Sequence, residues 1–123
     1  MTTKPRASIE AKAFVPAHDF ELSKRFYQEI GFTLEWETPD LACFANGASR
    51  FLLQNFYLPE HARNFVMSLQ VHDVDAWWEY IATAAKEFGI LIAPPEDQPW
   101  GMRDFTFGDP TGVLWRVAQA VSV

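Results

Sequence analysis

"AHDFELSKRFYQEIGF" (residues 17–32) and "VHDVDAWWEYIATAAKEFGI" (residues 71–90) open alike, and their likeness decides the fold. In each, an apolar extended segment reaches His-Asp, a helical pattern follows, and a glycine closes it before the next strand. Asp19 and Asp73 are placed as N-caps whose carboxylates accept backbone N–H bonds, with Glu21 and Asp75 at the favourable end of each helix dipole. Gly31 and Gly89 can adopt the left-handed conformation that ends a helix. Leu22, Phe26 and Ile30 make one apolar stripe, and Val74, Trp77, Ile81, Ala85 and Phe88 make another, so both helices must lie on apolar surface.

Strand patterns surround these helices at 9–15, 32–37, 41–45, 50–56, 65–71, about 90–93, 102–107 and 113–118. In "TFGDPTGVLWRV" (106–117) two of them are joined by a tight turn. The order is β-α-β-β-β, twice, which predicts an α+β fold of two tandem modules. The expected boundaries are modules 7–56 and 65–119, joined by a solvated loop over 57–64, within a single domain of 1–123.

Composition narrows the function. A net charge of −6 argues against a phosphate-binding surface, since nucleic-acid affinity depends on clustered Lys and Arg; a cationic or neutral small ligand fits better. Eleven Phe, five Trp and three Tyr in 123 residues are many, enough for some to line a pocket. The lone Cys43, in the apolar "DLACFAN", reads as a buried inert thiol. No apolar run approaches membrane-spanning length and the first residues lack the apolar core of a signal peptide, which predicts a soluble cytoplasmic protein.

Strand alternation separates a helix-covered face from a second one. Val15, Phe51, Leu53, Met67, Leu69, Phe105, Phe107 and Val117 suit the helices, and Trp115 shares their parity. The other face carries Glu10, Lys12, Phe14, Leu52, Gln54, Phe56, Ser68, Gln70, Asp104, Thr106 and Arg116. Polar groups there suit solvent, yet Phe14, Leu52, Phe56 and Leu114 do not. A curved sheet whose concave side holds a ligand accounts for both. Trp36, Phe44, Trp100 and Met102 are further candidate contacts, Trp100 sitting in the Pro-rich loop 93–102.

The pieces "DFELSKRFYQEIGF", "VHDVDAWWEYI" and "FTFGDPTGVLW" together resemble the vicinal oxygen chelate superfamily, which includes glyoxalase I, extradiol dioxygenases and bleomycin-resistance proteins. The resemblance covers nearly the whole chain. It implies paired βαβββ modules around a cleft completed by a second subunit in a homodimer. It also implies, for the enzymes, a divalent metal held by side chains from four strands. The corresponding positions here are Lys12, Gln54, Val66 and Arg116. Val66 has no donor atom and the two cations repel a metal ion, so the expectation is a cleft without metal or other cofactor.

Two functions follow. One is a non-catalytic binder resembling bleomycin-resistance proteins, which sequesters a cationic or aromatic small molecule through Lys12, Trp36, Phe44, Gln54, Phe56, Ser68, Trp100, Met102, Asp104 and Arg116, with no catalytic residue and neither nucleic acid nor membrane as partner. The other is an enzyme of the same superfamily, a glyoxalase-like lyase or an oxidoreductase, metal-free or with non-standard ligands, using Lys12, Asp104 or Arg116. A homodimeric structural protein with a vestigial cleft is a third possibility. His18, His61 and His72 read as junction or loop residues, Ser68 lacks a His partner for nucleophilic work, and Glu35 and Glu37 read as a solvated strand face.

Overall fold

The computed structural model describes residues 2–121. Two open four-stranded sheets share one aromatic core, with two long helices and one short one. In chain order the elements are β1 (Phe14–Pro16), α1 (Phe20–Glu29), β2 (Thr33–Glu37), β3 (Leu41–Asn46), β4 (Ser49–Gln54), α2 (Pro59–Arg63), β5 (Val66–Gln70), α3 (Val74–Glu87), β6 (Glu96–Asp97), β7 (Met102–Gly108) and β8 (Leu114–Ala120). The first sheet has the order β1-β4-β3-β2 and the second β5-β8-β7-β6. In both, the first strand pairs parallel with the last, and the remaining pairs are antiparallel. The repeated β-α-β-β-β order is therefore a repeated topology.

Local chemistry sets the helix ends. The Asp19 carboxylate accepts from Leu22 N at 3.1 Å, and Asp73 does the same for Ala76 N at 3.1 Å. Both long helices stop at a left-handed glycine, Gly31 at φ 109° and Gly89 at φ 68°.

Three expected elements differ. The first strand covers only Phe14–Pro16, and Ile9 upstream is fully exposed; Ala11 and Ala13 offer too little side chain to hold that stretch on a sheet. No strand forms at 90–93, because Pro94 and Pro95 cannot donate to a ladder; pairing on β7 starts after them, at Glu96 and Asp97. The connector after residue 57 contains α2, started by Pro59 in its first turn and anchored by the buried Ala62.

One hydrogen-bonded triad ties the halves together. Tyr27, on α1, donates its hydroxyl proton to the Asp109 carboxylate and accepts from Trp115 Nε1 at 2.9 Å. The other Asp109 oxygen accepts from Thr111 N, Gly112 N and Val113 N at 2.9–3.0 Å, closing the Asp-Pro-Thr-Gly turn between β7 and β8. Around the triad, the rings of Phe32 and Phe51 pack on Trp115 from the first-sheet side, and Phe107 stacks on it from the second. Phe26 extends the core toward α3 through an edge contact with Phe88.

Burial raises the Tyr27 hydroxyl well above its ordinary value, and the Asp109 charge raises it further. The folded chain thus holds the phenolic proton more tightly than the unfolded one. The associated stability is complete below about pH 10 and falls as pH rises beyond it. Tyr27→Phe leaves Asp109 and Trp115 one partner short and should lower stability by about 1–3 kcal/mol at neutral pH. The variant should then lose less additional stability than the parent between about pH 9 and pH 11. Denaturant titrations at both ends of that range check both statements.

Candidate functional site

With the helices and rings gathered in the core, the opposite face of each sheet is available for other work. On the second sheet, register places Ser68, Arg116 and Thr106 side by side across β5, β8 and β7. One step along, Val66, Leu114 and Gly108 form the neighbouring row, and on the far side Gln70, Ala118 and Asp104 form another. Side chains that are direct partners across a sheet project from the same face.

Arg116 is the charge that makes this face unusual. Its Nη1 donates to Asp104 Oδ2 at 2.9 Å, and Gln98 Nε2 donates to Asp104 Oδ1 at 3.0 Å. Asp104 is only 4% exposed, so these two bonds are what allow a carboxylate to be buried there. The Arg116 side chain is 42% exposed, and its remaining N–H groups have no acceptor among the described residues. Neither Ser68 Oγ nor Thr106 Oγ1 holds a hydrogen bond among those residues.

The first sheet carries a neutral charge network on the corresponding face. Lys12 Nζ lies 2.9 Å from Glu10, Arg50 lies 3.8 Å from Glu10, and Arg50 Nε donates to Glu35 Oε1 at 2.8 Å. Arg50 holds the Glu35 carboxyl below its usual value, and burial pushes the adjacent Cys43 thiol up. Glu35 joins this network because the β2–β3 register slips between Leu34 and Trp36, so it is not the simple solvated position that alternation predicts. Glu37 points to the helix side and pairs with Lys24 of α1 at 3.1 Å.

The ten predicted contacts separate clearly. Ser68, Met102, Asp104 and Arg116 share the outer face of the second sheet, and Gln54 lies on that of the first. Trp36 is 47% exposed, Phe56, just past β4, 48%, and Trp100 64%, in the bend before β7. Lys12 is committed to Glu10. Phe44 is fully buried instead, stacked on Phe51 and packed against Tyr27, because its partner across β3–β4 is a core residue; no ligand reaches it. Trp115 is likewise a core residue, 2% exposed. Sequence reasoning missed Gln98, whose position in the Pro-rich loop gave no sign that it reaches Asp104. A cavity of about 270 Å³ lies between the modules, lined by Glu10, Ser49, Arg50 and Ser68 and by the rings of Phe32, Phe51 and Trp115.

These residues do not fit a divalent metal at the four strand positions. Lys12 and Arg116 are cations already paired with carboxylates, Val66 has no donor, and Gln54 stands alone. Among the described residues, no three His, Cys, Asp or Glu side chains are grouped to hold an ion. No helix among the described residues is long and apolar enough to cross a membrane.

The family described as Glyoxalase/Bleomycin resistance protein/Dioxygenase superfamily matches residues 11–117. Among solved structures, a bleomycin-binding protein complexed with bleomycin is similar, with 23% identity over 91% of this chain and 98% of that one and a TM-score of 0.76. TnmS3, an antibiotic binding protein from Streptomyces sp. CB03234, has 26% identity over 94% and 99%, with a TM-score of 0.74. Lactoylglutathione lyase from Agrobacterium tumefaciens has 20% identity over 94% and 95%, with a TM-score of 0.67. No curated protein sequence matches.

Removing Arg116 should cost more than removing Lys12. Arg116→Met leaves the buried Asp104 with Gln98 alone and should destabilise by about 1–3 kcal/mol. Lys12→Met breaks a partly exposed pair and should cost less than about 1 kcal/mol. Denaturant midpoints of the two variants give the comparison.

Proposed function

The chain belongs to the glyoxalase/bleomycin resistance protein/dioxygenase superfamily, and we propose that within it the protein is a metal-free, small-molecule binding protein that sequesters its ligand in a cleft completed by a second copy of itself. The observation that carries this reading is the exposure of large apolar groups beside self-neutralised ion pairs. Phe14, Trp36, Val66 and Leu114 are 36–57% exposed on the outer sheet faces. Water alone does not favour such groups, and apolar side chains exposed in this way on both sheets suit an interface or a ligand site. The bleomycin-binding and antibiotic-binding proteins that share the architecture are ligand binders by their descriptions, which supports the same use here.

The chemistry of the face favours binding over catalysis. Lys12 would serve as a base only if free of Glu10, and it is not free. Asp104 is held by two donors and is nearly inaccessible. Arg116 is a donor with unused capacity, which is what recognition needs and proton transfer does not. Ser68, Thr106, Gln54, Met102, Trp36, Phe56 and Trp100 are the proposed contacts.

Native mass spectrometry of the purified, untagged chain tests this reading. The expected spectrum shows a species of twice the 14.1 kDa chain mass, without stoichiometric divalent metal and with capacity to retain an organic adduct. A monomer at about 10 μM, well above the concentration at which a stable dimer dissociates, would contradict the shared cleft, and a retained stoichiometric metal would contradict the metal-free site.

A further inference from the structure

Resting on the binding reading above, we infer that the ligand is a flat apolar molecule ending in a carboxylate, and that the carboxylate docks on the row formed by Ser68, Arg116 and Thr106. The three residues are direct partners across β5, β8 and β7, so their side chains leave one face at the spacing of adjacent strands, about 4.8 Å. Arg116 stands in the middle. Its Nη1 donates to Asp104, which anchors one end of the guanidinium and leaves the other N–H groups open. A hydroxyl stands on each side, and neither holds a hydrogen bond among the described residues. A planar donor fork flanked by two hydroxyls is matched by a pair of acceptor oxygens on one carbon.

The adjoining row supplies the rest of the ligand's surface. Val66 is 57% exposed and Leu114 36%, and Gly108, their partner on β7, has no side chain. A Cβ built at Gly108 meets no heavy atom within 4 Å, so the space over that strand end is open. Its φ is not positive, so a larger residue can be placed there without backbone strain. The arrangement is an apolar floor with an open end, bordered on one side by donors. A cation finds no free carboxylate beside this row, because Asp104 is buried and bonded twice and Glu10, which lines the cavity with Ser68, is paired with Lys12. The acidic charge of the chain as a whole therefore does not describe the group that is recognised.

Equilibrium dialysis with two probes of equal ring size, 2-naphthoate and 2-naphthylmethylammonium, tests the inference. The parent should bind 2-naphthoate at least about tenfold tighter than the ammonium probe. Arg116→Lys keeps a cation for Asp104 but loses the fork, and should weaken 2-naphthoate about fivefold or more while leaving the ammonium probe unchanged. Ser68→Ala combined with Thr106→Val, which touches neither the core nor the ion pair, should act in the same direction. Gly108→Val should weaken both probes by filling the open end. Equal affinity for the two probes, or 2-naphthoate binding indifferent to Arg116→Lys in a variant with parental thermal stability, would overturn the carboxylate assignment and leave the binding function standing. Failure of both probes to bind a protein shown to be dimeric would overturn both.

Discussion

Tyr27, Asp109 and Trp115 meet in the one buried polar contact on which the rest of this structure depends. The tyrosine comes from the first helix, whereas the carboxylate and the indole come from the last turn and strand. Each group is satisfied by the others or by the turn's own N–H groups, so none can be moved away without leaving a buried polar atom unpaired. Because the triad sits among the rings of Phe32, Phe51 and Phe107, it holds both sheets against a common core. That commitment uses up the helix-facing side of each sheet. The proposed site lies on the opposite side, where the Arg116–Asp104 pair also contributes to stability.

On that side, charge is handled locally. Lys12, Glu10, Arg50 and Glu35 neutralise one another on the first sheet, and Arg116 and Asp104 do so on the second. An ion pair that is internally balanced costs less to cover with a partner or ligand than an unpaired charge does. Balanced pairs set among Trp36, Phe14, Val66 and Leu114 thus make a surface prepared for burial. Arg116 differs from the rest in having donors left over, the basis of the recognition proposed for it.

Features governed by near neighbours in the chain were legible in the sequence. The two aspartate caps, the two closing glycines and the Asp-Pro-Thr-Gly turn each depend on residues a few positions apart, and together they determined the repeated order of elements. Alternation also placed Ser68, Asp104, Thr106 and Arg116 on one face, since β7 and β8 run without irregularity. Features set by pairing between strands were not legible. Nothing local says that β2 slips by a residue at Glu35, that Phe44 stands opposite Phe51, or that Gln98 reaches Asp104. The 90–93 stretch has a strand's composition, and only the two prolines after it explain why it stays unpaired.

The outer sheet faces, not the helical side, are the surface proposed to carry this protein's function. Oxidative side-chain footprinting over a range of protein concentrations tests this assignment most directly, because exposed groups on both sides report in one experiment. Phe14 and Trp36 should lose reactivity as concentration rises while Tyr80 and Leu91, exposed on and just beyond α3, keep theirs. Protection of Tyr80 and Leu91 with Trp36 still reactive would contradict it and move the functional surface to the helices.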